Sequence, residues 1–178
     1  MIEIQTPRLR LISLNEHQLR CLLETPRQLE ENLAIPFSRT FVSDAVKQAI
    51  ETKLGKISEA NIYKHPWFTY WLVVVATGPY GAGLVGFKGY PNSRGEAEIG
   101  YGMDPAYRNK GYTTEAVRVL IAWAFEEPDC CAVTAQVASR DNLPSIRVLE
   151  KVGMHIYEEI PPTTLWRIDR GGCKDRQN

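Results

Sequence analysis

Ala97-Glu98-Ile99-Gly100-Tyr101-Gly102-Met103, then Asp104-Pro105-Ala106-Tyr107, then Arg108-Asn109-Lys110-Gly111-Tyr112-Thr113 is the stretch whose reading decides the fold. The first seven residues read as an apolar strand and the next four as a turn, after which a glycine-bearing loop opens into a helix. Such a loop aims several free backbone N–H groups at one point, at the positive end of a helix dipole. The stretch therefore predicts an anion site, and phosphate is the usual occupant of such a site.

Working outward from it, Val117, Leu120, Ile121, Ala124 and Phe125 recur at the spacing of an amphipathic helix, which Pro128 ends. Ala132 to Ala138 reads as a strand parallel to the Glu98 strand, because a helix crossover joins the two. Asn142 starts a last helix to Val152, stopped by Gly153, and a hairpin from Met154 to Ile160 and Thr163 to Ile168 follows. Upstream, Phe68 to Thr77 and Leu84 to Tyr90 read as antiparallel partners on either side of Gly78-Pro79-Tyr80-Gly81. Before them come a first strand from Arg8 to Leu14 and three helices. Asn15 caps one running to Glu24, Pro26 opens another, and Ser43 caps a third from Asp44 to Ala60 that buries Ile50, Leu54 and the stem of Lys53.

The chain has 178 residues, 44% hydrophobic and 24% charged, with zero formal net charge, which suits one globular domain and advertises no basic face for nucleic acid. The N-terminus lacks the pattern of a signal peptide, and the longest strongly apolar run, Trp71 to Ala76, is too short to span a bilayer. The four cysteines show no metal-ligand spacing and read as reduced thiols in a cytoplasmic protein, Cys130 and Cys131 as small buried residues entering a strand. Gly81-x-Gly83-x-x-Gly86 matches a dinucleotide fingerprint as a pattern, but a strand rather than a helix follows, so these are turn and strand glycines. His17, His65 and His155 are scattered, and no serine sits in a nucleophile elbow.

Four segments together resemble the GNAT superfamily of acetyl-CoA-dependent N-acetyltransferases, in particular the branch that acetylates the N-terminal amines of ribosomal proteins. They are Thr6-Pro-Arg-Leu-Arg-Leu, Glu98-Ile-Gly-Tyr, Arg108-Asn-Lys-Gly-Tyr-Thr-Thr-Glu115-Ala and Asn142-Leu-Pro-Ser145-Ile-Arg-Val-Leu-Glu-Lys-Val-Gly153. The resemblance implies a single GNAT-like α/β domain over residues 1–170, with a mixed, mostly antiparallel sheet of about seven strands flanked by helices and a central parallel pair. Residues 171–178 read as a frayed tail.

The same resemblance implies that the backbone N–H groups of Arg108, Asn109, Lys110, Gly111, Tyr112, Thr113 and Thr114 hold the pyrophosphate of acetyl-CoA. Gly102 and Met103 would pair with its pantetheine arm, the Met103 N–H would also serve the thioester oxygen, and Asn142 and Ser145 would reach the pantetheine and the sulfur. Asn142 can cap its helix at the same time. Glu98 is the candidate base, since an amine attacks a thioester only when neutral; the alternative is a solvated strand residue or a salt-bridge partner of Arg94 or Arg108. Leu149 stands where many relatives carry the tyrosine that protonates the leaving thiolate, so Ser145 or water takes that part, or the thiolate simply leaves.

The implied partners are acetyl-CoA and an amine acceptor, with no metal, nucleic acid or membrane; a homodimer is compatible with the reading. Six acidic and five basic side chains between Glu24 and Ala60 give no field that selects an acceptor. Trp67, Phe68, Tyr70 and Trp71 read as aromatic core more readily than as a substrate slot. An antibiotic-modifying acetyltransferase and a non-catalytic acetyl-CoA-binding module stand as alternatives.

Overall fold

In the computed structural model, residues 2–173 are described, and they build one eight-stranded sheet with helices on both faces. Strands β1 (Glu3–Gln5) and β2 (Leu9–Ser13) precede helices α1 (Glu16–Glu24), α2 (Pro26–Leu33) and α3 (Asp44–Glu59). Strands β3 (Trp71–Val75), β4 (Tyr80–Phe87) and β5 (Glu96–Met103) form a meander, followed by α4 (Tyr112–Phe125), β6 (Ala132–Val137) and α5 (Leu143–Val152). The hairpin β7 (His155–Ile160) and β8 (Thr163–Asp169) closes the chain, and the strand order is β1-β2-β3-β4-β5-β6-β8-β7. The expected mixed sheet is present, and among the named strands of the described residues β5 and β6 pair in parallel, where the crossover through α4 requires it.

The helix ends follow from local chemistry. Asn15 and Gln18 form a capping box on α1. Gly153 ends α5 at φ +90°, a left-handed conformation that a Cβ disfavours. The stripe on α4 is buried at Val117, Leu120, Ile121 and Ala124 against Ala97, Ile99 and Trp166 of the sheet. On the other face α1, α2 and α3 bury Leu19, Leu22, Leu29 and Ile50 against Ile12, Leu72, Val74 and Leu84.

Four expectations need correction. The sheet has an eighth strand, β1, whose three residues are too few for alternation to show and which is held by pairing with β2. The strand expected from Phe68 starts only at Trp71, because Ile62–Trp67 winds into a 3-10 helix that drives Trp67 into the core against Phe87 and Trp123. Its turn lies at residues 76–79, so the partner strand begins at Tyr80, before Leu84. Lys53 buries more than its stem, since the whole residue is 5% exposed and its ammonium donates to the Phe87 carbonyl.

The cysteines are not all free thiols. Cys131 is bonded to Cys173, because β8 runs back along β6 and the Arg170 N–H donates to the Cys131 carbonyl, which carries the following turn to the start of β6. Cys21 and Cys130 remain buried thiols, the latter pushed up to about 11 by burial. Residues 174–178 of the expected tail lie outside the described residues. No helix among the described residues is long and apolar enough to cross a membrane.

Candidate active site

The turn after β5 is built by Asp104, whose carboxylate accepts the Ala106 N–H at 2.7 Å and the Thr40 hydroxyl at 3.0 Å. Hydrogen bonds from Ser38, from the Ala106 amide and from Thr40 hold this carboxyl below the usual range, against the effect of burial. The chain then turns through two left-handed residues, Asn109 at φ +61° and Gly111 at φ +79°. Gly111 caps α4 without a side chain, and the first intrahelical bond runs from the Glu115 N–H to the Gly111 carbonyl. The N–H groups of Tyr112, Thr113 and Thr114 thus stand at the helix end with no capping side chain, an array suited to anionic oxygens. The Arg108 N–H bonds to the Pro105 carbonyl, so the array begins after Arg108, whose Nε donates to the Met103 carbonyl at 3.1 Å.

The N-terminal Thr6-Pro7-Arg8 segment braces this loop from behind. Arg8 donates through Nε to Glu115 at 2.7 Å and through a guanidinium nitrogen to the Lys110 carbonyl at 3.0 Å. The Thr6 hydroxyl donates to the same carboxylate at 2.6 Å, and the Arg8 guanidinium lies 5.0 Å from the centre of the Tyr112 ring. Burial raises the Glu115 pKa, but the Thr6 and Arg8 bonds outweigh it and the net shift is downward. The ion pair spans 107 residues, so no local pattern announces it.

Facing the loop, the first turns of α5 complete a cleft of about 390 Å³ that Tyr107, Asn109, Gly111 and Thr113 line on one side and Pro144 and Val148 on the other. Arg108, Arg147 and Lys151 add three cations to its walls. Arg147 and Lys151 were not among the expected site residues. The available signal is their i, i+4 spacing, which puts both on one helix face.

Between cleft and sheet the β5 backbone lies open. β5 pairs with β4 up to Met103 but with β6 only from Glu96 to Glu98, opposite Ala132 to Thr134. The Lys88 N–H donates to the Glu98 carbonyl and the Asp104 N–H to the Ala82 carbonyl, so even-numbered residues of β5 direct their backbone groups at β4. Tyr101 and Met103 therefore direct theirs at the side where β6 has parted. The Tyr101 hydroxyl bridges that gap to the Ser145 carbonyl at 3.2 Å, its pKa pushed up to about 12 by burial. Asn142 caps α5, accepting the Ser145 N–H at 3.3 Å, and Leu149 is fully buried.

Glu98 lies on the opposite face of β5, toward α3, half-buried and 2.5 Å from the Lys88 ammonium. Its ion-pair partner is thus Lys88, and neither Arg94 nor Arg108. On that face a Cβ added at Gly100 or Gly102 would meet nothing within 4 Å, so an open lane runs from Glu98 to the end of the strand. The aromatics near Trp67 do not reach this lane as a group, since Trp67 and Trp71 are buried with Trp123 in the core. Among the described residues, no three His, Cys, Asp or Glu side chains gather as a metal site.

Comparison with known proteins agrees with this fold. The model of the acetyltransferase (GNAT) domain matches residues 8–155. The uncharacterized N-acetyltransferase YjdG of Bacillus subtilis (strain 168) is 37% identical over 86 residues, which is 48% of this chain and 51% of YjdG, so the match spans about half that relative's length. Ribosomal-protein-S5-alanine acetyltransferase from Vibrio fischeri superposes with a TM-score of 0.66 at 20% identity, covering 98% of this chain and all of that one. A RimL ribosomal L7/L12 alpha-N-protein acetyltransferase in complex with coenzyme A gives 0.63 at 13% identity, covering 94% and 98%. At such identities these structures share the fold.

Proposed function

Because the chain belongs to the GNAT acetyltransferase family, we propose that it transfers the acetyl group of acetyl-CoA to a primary amine, a protein N-terminal amine or a small molecule's, by direct attack on the thioester. The observation that carries this reading is the uncapped α4 N-terminus opening onto a cationic cleft beside the unpaired edge of β5. The residues present fit the cofactor. The amides from Asn109 to Thr114 with Arg147 and Lys151 suit phosphates, and the free edge at Tyr101 and Met103 suits the amides of a pantetheine arm. The occurrence of coenzyme A in the related RimL structure supports the same assignment.

Each chain residue then has a task. The Met103 N–H donates to the thioester oxygen as negative charge develops there. Glu98, at the far end of the Gly100–Gly102 lane, takes the ammonium proton through water, freeing the nitrogen lone pair to attack the carbonyl carbon. The nitrogen–carbon bond forms, the carbon–sulfur bond breaks, and the second proton lost by the nitrogen passes through Ser145 or water to the departing thiolate. Asn142 and Ser145 hold the cofactor arm at the start of α5. The cytoplasmic placement belongs to the same proposal.

A non-catalytic acetyl-CoA-binding module is the second reading, favoured by the buried Leu149, which brings no hydroxyl to its position. Measuring thiol release with acetyl-CoA and a panel of amines separates the two. Turnover with at least one amine, lowered ten- to a thousandfold by Glu98→Gln, is the expected outcome. Acetyl-CoA binding with no amine-dependent release, and no effect of Glu98→Gln, would reverse the choice.

A further inference from the structure

The partner that holds Glu98 says something about the acceptor. Lys88 and Glu98 face each other across β4 and β5, and the Lys88 side chain, 60% exposed, closes on the carboxylate at 2.5 Å. Two further lysines from one side of α3 converge on the same place. Lys56 donates to the Lys88 carbonyl at 3.1 Å, and Lys53 donates to the Phe87 carbonyl with its Nζ 4.7 Å from the Tyr70 ring centre. On the other flank Glu96 is already engaged by Arg167 at 2.5 Å, and Arg167 also holds Asp169 at 2.7 Å. The patch on the β4 side therefore sets three amino groups against one carboxylate.

An ammonium ion that passes its proton to Glu98 through water competes with Lys88 for the charge of the carboxylate. Displaced alone, Lys88 would be left beside Lys56 without its carboxylate partner, and like charges repel. The exchange becomes favourable when the incoming molecule supplies an anion of its own, because both ion pairs are then re-formed. We propose that the acceptor carries a carboxylate or phosphate next to its reacting amine, so that the amine takes Glu98 while the anion takes Lys88 and Lys56. This rests on Glu98 being the base of the acetyl transfer. Lys88 acts as a specificity residue. It blocks the carboxylate against plain amines and recognises the anion of the right one. On a peptide the anion would sit on the residue next to the free amine, and on a small molecule a few bonds away.

The test compares short peptides with Asp, Asn or Lys after the N-terminal residue, together with 4-aminobutyrate and its amide, on wild type, Lys88→Met and Lys88→Arg. Wild type should favour the Asp peptide over the Asn peptide by tenfold or more in kcat/KM, expressed in KM, and disfavour the Lys peptide. Lys88→Met should bring Asp and Asn within twofold, with the Asn peptide gaining, and Lys88→Arg should keep the preference. A preference confined to the 4-aminobutyrate pair identifies a small amino acid as the source of the chemistry; one confined to the peptides identifies a protein terminus. Equal use of Asp and Asn by wild type, or an Asp preference that survives Lys88→Met, overturns the proposal while leaving acetyl transfer intact. Should no amine turn over, titrating the Asp and Asn peptides into the protein saturated with coenzyme A decides it, and equal affinities count against it.

Discussion

Replacing Lys53 with methionine tests how far a charged group has been drawn under the acceptor side of the sheet. Burial, then the charges of Lys56 and Lys88, lowers its pKa from 10.5 to about 7. Below about pH 7 both folded and unfolded chains hold the proton, and the full penalty of burying it weighs on the fold. Between about 7 and 10.5 the unfolded chain keeps a proton that the folded one has shed, so stability rises with pH by about 1.4 kcal/mol per unit. Above 10.5 the curve flattens. The difference between the two pKa values sets a ceiling of about 5 kcal/mol on the effect. Lys53→Met removes the titration and also leaves the Phe87 carbonyl without its donor, a roughly pH-independent cost of about 1–3 kcal/mol. The informative quantity is therefore the difference between wild type and variant as pH changes. Urea unfolding followed by tryptophan fluorescence at pH 6, 7, 8, 9 and 10 and constant ionic strength should show that difference moving toward wild type by about 4 kcal/mol. A difference that stays flat would mean that Lys53 keeps its proton inside the fold, and the account of its environment given above would be wrong.

Gly111→Ala places a Cβ on a residue at φ +79° and within 3.3 Å of the Arg8 guanidinium. It should lower stability by about 1–2 kcal/mol and weaken coenzyme A binding at least tenfold, about 1.4 kcal/mol; unchanged affinity in a calorimetric titration would remove the phosphate assignment. Arg8→Met should weaken coenzyme A binding severalfold through the loop it braces, with Glu115→Gln producing much of the same loss and the pair showing a coupling of about 0.5–3 kcal/mol in a double-mutant cycle. Additive losses would mean that the brace is incidental. Since the Glu115 carboxyl is held below its usual value, that coupling should be present at neutral pH and fade as the solution is acidified through the carboxylate range.

What the chain displays openly are its local signals. Apolar spacing on α4, the capping box at Asn15 and the left-handed stop at Gly153 all concern residues within a turn or two of one another. The parallel pairing of β5 with β6 follows from connectivity alone. The glycine loop was legible for the same reason, as a break between two strong patterns. Arg8 and Glu115 were legible as residues shared with a family, but not as a pair, because 107 residues separate them. Lys53 sits among charged neighbours on α3 and looks like a snorkelling side chain; only the Phe87 carbonyl, left beyond the start of β3, draws its head inward. The Cys131–Cys173 bond likewise depends on which strand the last hairpin joins, and the order β6-β8-β7 is not the order of the chain.

The position of the site follows from how the two halves of the sheet divide β5. One half is antiparallel and keeps β5 against β4 over five residue pairs, Gly83 with Met103 through Phe87 with Ile99. The other keeps β6 against β8 over six, Ala132 with Asp169 through Val137 with Thr164. Only three pairs tie the halves together, so the strands part after Glu98 and expose main-chain groups of Tyr101 and Met103 in the middle of the fold. Such an edge is costly to leave unmet and limits what can meet it. The protein supplies one contact itself, from Arg108 to the Met103 carbonyl, and the helix end a few residues on brings amides and cations. A molecule that satisfies both must have an extended arm with amide-like groups and an anionic head, and its reactive end will then lie between the β5 edge and the lane that leads to Glu98. On the proposed reading the division of the sheet selects the ligand, and the residues on either side of β5 decide what is done with it.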